Sequence, residues 1–144
     1  MFPAPPQTHL PPSLNTGTKL EMFQDVAMAF ENDDGTKSLW FGRLQKLLLA
    51  RTYRSRTTRK VLLDAVPIND LPEGLQVMAR YYTAVPRKRR TFKYGVAADC
   101  GPEAKAYNAS CVLHVVEFDY NSDRDEYTLD RGQWDIVQTK LRSI

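Results

Sequence analysis

Histidine and cysteine, the side chains that most often carry enzyme chemistry, are scarce: two of each in 144 residues. One histidine, His9, stands in a proline-rich start, and the other, His114, sits inside an apolar run and reads as a packed strand residue. Cys100 and Cys111 form no Cys-x-x-Cys pair, and with His114 they lack the four-ligand spacing of a structural zinc site. Two cysteines make no disulfide framework, so they read as reduced thiols of an intracellular protein. The chain also lacks a glycine-rich phosphate loop and a nucleophile elbow. Asp119, Asp123, Asp125 and Glu126 lack the glycine and spacing of a calcium-binding EF-hand loop. No apolar run approaches the ~20 residues of a membrane span, and the N-terminus lacks the layout of a secretory signal. These absences argue against an enzyme: no catalytic residue, no metal site and no cofactor is expected, and no membrane partner.

Charge is present in quantity but not in excess. The formal net charge of +3 is too small to prove a nucleic-acid partner, so distribution matters more than the total. Arg51, Arg54, Arg56, Arg59 and Lys60 follow one another without an acid between them, and so do Arg87, Lys88, Arg89, Arg90 and Lys93. Acids collect at 31–34 and 119–130. The surface is expected to be polarised, with a basic side and an acidic side.

Five of the nine prolines lie in residues 1–17. Proline removes backbone donors and favours extended segments, so residues 1–18 read as a flexible tail. A single domain is expected over 19–144. Residues 22–30 place Val26, Met28 and Phe30 on one face and Ala27 and Ala29 on the other. Glu31-Asn32-Asp33-Asp34-Gly35 is turn chemistry, and a second strand over 37–48 completes a hairpin. Gly42 inside it predicts a bulge or a sharp bend. Residues 46–50 also suit the start of a helix. Residues 61–66 are a short apolar run, and two prolines with a glycine make 67–74 a loop.

Residues 74–94 are the most suggestive stretch: strand, basic turn, strand. Leu75, Val77, Ala79 and Tyr81 alternate with Gln76, Met78, Arg80 and Tyr82, the period of a half-buried strand. Tyr81 and Tyr82 must therefore face opposite ways. Residues 109–118 are apolar on both faces, which predicts a central strand. After a turn at 121–123, residues 125–129 should return as an edge strand. Asp130 caps a helix over 131–142 that carries Trp134, Val137 and Leu141 on one face. That helix would lay Trp134 over an open barrel end.

The sum is a mostly β fold: a small, bent antiparallel sheet or partly open barrel with a C-terminal helix. Three segments resemble a bromo-adjacent homology (BAH) domain, or more broadly a related SH3-like small barrel. Asp25-Val26-Ala27-Met28 with Trp40-Phe41-Gly42-Arg43-Leu44 is similar to the opening hairpin of that family, with its W-x-G/A-R-I pattern. Val77-Met78-Ala79-Arg80-Tyr81-Tyr82 resembles its aromatic strand, and residues 109–116 its late strand. The resemblance implies a chromatin-associated, nuclear interaction module that recognises a protein partner such as a histone tail or nucleosome.

Two sets of residues are candidates for the site. Trp40, Tyr81, Tyr82 and Phe92 would supply an aromatic pocket; such a cage holds a methylammonium by cation–π attraction, about 0.5–2 kcal/mol per contact. It also needs an acid, and Glu73 and Asp99 are the local ones. The same rings serve equally well as barrel core. The two basic runs, if they share one side, would bind DNA or RNA backbone or an acidic protein surface. A nucleic-acid-binding barrel is thus the alternative to a protein-binding module, and an accessory domain of a larger enzyme is a third reading.

Overall fold

The computed structural model describes residues 19–52, 58–67, 71–95 and 105–144. The proline-rich tail at 1–18, the candidate residues Arg54 and Arg56, and Cys100 and Asp99 lie outside them. In chain order the strands are β1 (Lys19–Glu21), β2 (Asp25–Glu31), β3 (Lys37–Thr52), β4 (Thr58–Leu63), β5 (Ala65–Pro67), β6 (Leu75–Ala84), β7 (Thr91–Tyr94), β8 (Tyr107–Asn108), β9 (Val112–Val116), β10 (Asp119–Asn121) and β11 (Glu126–Thr128). A 3-10 turn at Ala109–Cys111 precedes β9, and one helix, α1 (Arg131–Arg142), ends the chain. The fold is mostly β, a strongly curled antiparallel sheet that forms a half-barrel.

β3 is its spine. Over its first half it pairs with β2, from Glu31 opposite Lys37 to Asp25 opposite Arg43. The turn between them is the expected one: Gly35 takes a φ of 86°, and Asp34 accepts a hydrogen bond from the Thr36 amide at 2.9 Å. Over its second half β3 pairs on the same edge with β4, and β6 runs along its other edge from Gly42 to Leu49. The order continues β10-β11-β7-β6-β3-β2-β9. Residues 46–50 are therefore strand, because a ladder on each side outweighs their helix propensity.

Both faces of this sheet are buried, each in its own core. The first core gathers Val26, Met28, Leu44, Leu47, Leu75, Val77 and Tyr81; the second gathers Ala27, Phe41, Tyr82, Phe92, Val116, Leu129 and Val137. Tyr81 and Tyr82 face opposite ways, as their alternation requires. A register shift between Leu44 and Lys46 leaves Gln45 as the extra residue of a bulge. Trp40 and Leu44 face the first core before it; Leu47 and Leu49 face the same core after it. Without the bulge the period of two would send the later leucines outward.

Gly42, where a bulge or a sharp bend was expected, is not the bulge, which lies at Gln45; it has a packing role. A Cβ there would meet Ala79 Cβ and Tyr81 Cδ1, each at 3.1 Å. The glycine lets the Tyr81 ring lie against the backbone of β3.

Two edges also differ from expectation. β9 is not central but ends the sheet, beyond β2. It is apolar on both faces because each face meets one core: Val112 and Val115 the first, Leu113 and Val116 the second. α1 covers it, with Lys140 Nζ donating to the Leu113 carbonyl at 2.8 Å and lying 2.9 Å from His114 Nδ1. Gln133 brackets the Glu117 backbone, accepting from its N–H at 2.7 Å and donating to its C=O at 2.9 Å. The other edge is β10, so β11 is interior, between β10 and β7.

The Asp130 cap forms as expected: its Oδ1 accepts from the Gln133 amide at 2.9 Å. Trp134 stacks on Phe41 across the second core, with centroids 6.1 Å apart and planes 26° from parallel.

Two outcomes follow from this packing. Gly42→Val should destabilise the fold by about 1–3 kcal/mol through overpacking against Tyr81 and Ala79, read as a lower urea midpoint at unchanged slope. Burial lowers the Lys140 pKa to about 8. Between that value and the ordinary one of 10.5, the unfolded chain holds a proton that the folded chain has released. Stability therefore gains a favourable contribution as pH rises through that window. Titrating urea stability of wild type and Lys140→Met from pH 7.5 to 10.5 should show wild type gaining on the variant.

Candidate functional site

Four candidate aromatics do not form one pocket. Tyr81 is 3% exposed and packs in the first core against Trp40, at 5.9 Å, and Phe30, at 6.4 Å. Tyr82 and Phe92 are in the second core. The alternation that parts Tyr81 from Tyr82 thus divides the set.

A tyrosine cage does exist, built from Tyr82 and two tyrosines outside that set, and it is already filled. The Arg43 guanidinium lies 4.6 Å from the Tyr94 ring centre, 5.7 Å from that of Tyr127 and 5.9 Å from that of Tyr82. Its Nε donates to Asp25 Oδ1 at 3.1 Å, and Nη2 to Tyr82 Oη at 2.9 Å. Tyr82 Oη in turn donates to Asp25 Oδ1 at 2.5 Å. Burial and this hydrogen bond to a carboxylate push the Tyr82 pKa well above the usual phenol range. Burial opposes the Arg43 charge, but its bond and attraction to Asp25 outweigh that and hold it cationic. The acid beside the rings is Asp25, whereas Glu73 is exposed in the turn before β6. The hairpin register alone puts Asp25 opposite Arg43; the approach of Tyr94 and Tyr127 depends on the later strands, which no local pattern announces.

The open concavity lies beside this cage, between the sheet and α1. It has a volume of about 520 Å³. Phe41, Tyr82 and Phe92 form its buried floor, and Leu39, Trp40, Trp134 and Leu141 are half-buried around it. Among the described residues, Lys37 is the one charged residue in its lining. Three of the four candidate aromatics thus meet it, joined by Phe41, Trp134 and Leu141. On the far side of Trp134 lies a second recess of about 310 Å³, lined by Arg89, Arg90, Arg131, Trp134 and Asp135.

The basic runs separate. Arg51 pairs with Arg59, and Ala50 with Lys60, beyond the end of β3 that faces Leu75. Arg87, Lys88, Arg89 and Arg90 follow Ala84 at the other end of β6. The ten residues of β6 lie between the groups, about 30 Å of strand, so the sheet does not merge them into one patch. Within the turn, Lys88 is committed to Glu126 at 2.7 Å, and Lys93 projects from β7, exposed. Arg87 and Arg90 hold φ values of 67° and 52°, a left-handed conformation that costs a non-glycine residue about 1–2 kcal/mol. Arg90 Nε donates to the Leu129 carbonyl at 3.0 Å, which fixes its orientation beside the recess.

No protein-family model, no curated protein and no solved structure matches the chain, so the chemistry of these residues carries the functional reading. Cys111 offers little: burial pushes its thiol up to about 11, which keeps it protonated and unreactive near neutral pH.

The self-filled cage should behave as a structural unit. Asp25→Ala removes the acceptor of both Arg43 and Tyr82 and should cost about 2 kcal/mol. Adding Arg43→Ala should cost less than it does alone, since the pair is coupled; urea denaturation of the four proteins of the cycle measures this.

Proposed function

We propose that this chain is a non-catalytic binding module that recognises a protein partner, with the cleft between the sheet and α1 as its site. The observation that carries this reading is the adjacency of two unlike surfaces. An aromatic-floored cleft and a recess with three arginines share one wall, Trp134. Aromatic and arginine side chains are the types that dominate protein–protein binding energy. The resemblance of residues 25–28, 40–44 and 77–82 to BAH domains adds a setting, the nucleus, and a partner class, the nucleosome.

Methyl-lysine capture has less support on this surface. The three tyrosines with an acid beside them enclose the chain's own Arg43, and the open cleft has a lysine rather than a carboxylate in its lining. The nucleic-acid reading draws on exposed Arg87 and Arg89, but each basic group stands alone at its end of β6, which weakens the combined-patch argument.

The test compares binding to reconstituted nucleosomes and to free DNA of the same length across a salt series. Wild type should prefer nucleosomes, and Trp134→Leu, which keeps an apolar cover over Phe41, should lose roughly tenfold of that affinity. Equal affinity for both, insensitive to Trp134→Leu but abolished by Arg87→Ala with Arg89→Ala, would replace this proposal with the nucleic-acid reading. Circular dichroism of each variant verifies the fold.

A further inference from the structure

We infer that the cleft takes an acidic peptide segment bearing one large apolar side chain. This rests on the protein-binding reading above and narrows its partner. The apolar side chain would stand on the floor of Phe41 and Phe92 beside Trp134, and the acids would pair with Arg89, Arg90 and Arg131.

Charge complementarity carries the inference. Among the described residues, no carboxylate lines the cleft, and the adjoining recess holds three arginines against a single acid, Asp135. The Asp130 carboxylate also lies within reach of the Arg90 charge, yet cations remain in excess. Arg131 meets Asp135 only loosely, at 3.8 Å, with both side chains largely exposed. A carboxylate from a partner can compete for that guanidinium at small cost, because exposed pairs hold weakly. Arg90 is held more firmly. Its Nε is bound to Leu129, while among the described residues its terminal nitrogens have no hydrogen-bond partner.

Backbone strain is a second, independent observation. The β6–β7 turn keeps arginine at two positive-φ positions, 87 and 90, where glycine would sit without strain. Stability alone does not favour arginine there, and strain of this kind concentrates at ligand-contacting sites. The cleft's size also suits the inference, since concavities of this volume accommodate a large side chain with its flanking backbone.

Fluorescence anisotropy of labelled decapeptides on the full chain tests this. The probe carries a central Leu-Trp pair flanked by aspartates; its controls replace the aspartates with lysines, or Leu-Trp with serines. The aspartate probe should bind at least about tenfold more tightly than either control. Arg89→Ala with Arg131→Ala, both exposed and so tolerant of change, should weaken it roughly tenfold and flatten its salt dependence. Equal binding of the lysine peptide overturns the inference, and so does complete displacement by single-stranded oligo-uridine. If no peptide binds while nucleosomes still bind in a Trp134-dependent way, this inference fails and the protein-binding reading stands. If neither binds, both fail.

Discussion

The contact on which most of this sheet depends is the ion pair of Asp25 and Arg43, with Tyr82 bonded to both. Its members come from β2, β3 and β6, and the rings of Tyr94 and Tyr127 bring in β7 and β11. Five strands thus converge on one guanidinium. A half-buried ion pair contributes little by itself once desolvation is subtracted. What it supplies here is registration. Each ring can approach Arg43 only when its strand is in one register, so the network selects one pairing of the sheet among its slipped alternatives.

That network also explains why the rings were legible in the sequence and their grouping was not. The tyrosine pair at 81 and 82, the basic turn and the hairpin at 31–35 are all local patterns, and local patterns determine strands and turns. The capped helix with Trp134, Val137 and Leu141 was legible for the same reason. Which rings meet depends on the strand order, a property of the whole chain. β9 misled because an apolar run on both faces signals burial, not centrality; here two cores and a covering helix bury an edge strand. At Gly42 the bulge half of the expectation failed for a related reason. A glycine in a strand marks a close approach as readily as a bulge, and the ring it admits, Tyr81, is on another strand.

Charge was the least legible quantity. Ten basic residues in two runs suggest one patch, but among the described ones a strand of ten residues holds Arg59 and Lys60 apart from the turn at 87–90. The arginines that line the recess beside the cleft come from the turn, part of the second run, and from the first residue of α1. Arg131 belongs to neither run, and only the packing of the helix on the sheet brings it to Arg89 and Arg90. The aromatic floor shows the same logic: Phe41 and Phe92 meet at 5.0 Å from strands that are not sheet neighbours.

The bulge at Gln45 has a consequence for how such a chain can change over generations. β3 serves two cores, and its count of residues decides which side chain serves which core. Loss of Gln45 itself would restore a regular ladder and leave Leu47 and Leu49 on their core, because Leu47 would then stand two residues after Leu44. A gain between Leu39 and Arg43 would exchange Phe41 with its neighbours. Mutation can therefore substitute side chains along this strand one at a time, but a one-residue insertion or deletion anywhere except at the bulge reverses the strand beyond it. Away from the bulge, length along β3 is inherited more strictly than identity, while the turn before it is free to grow.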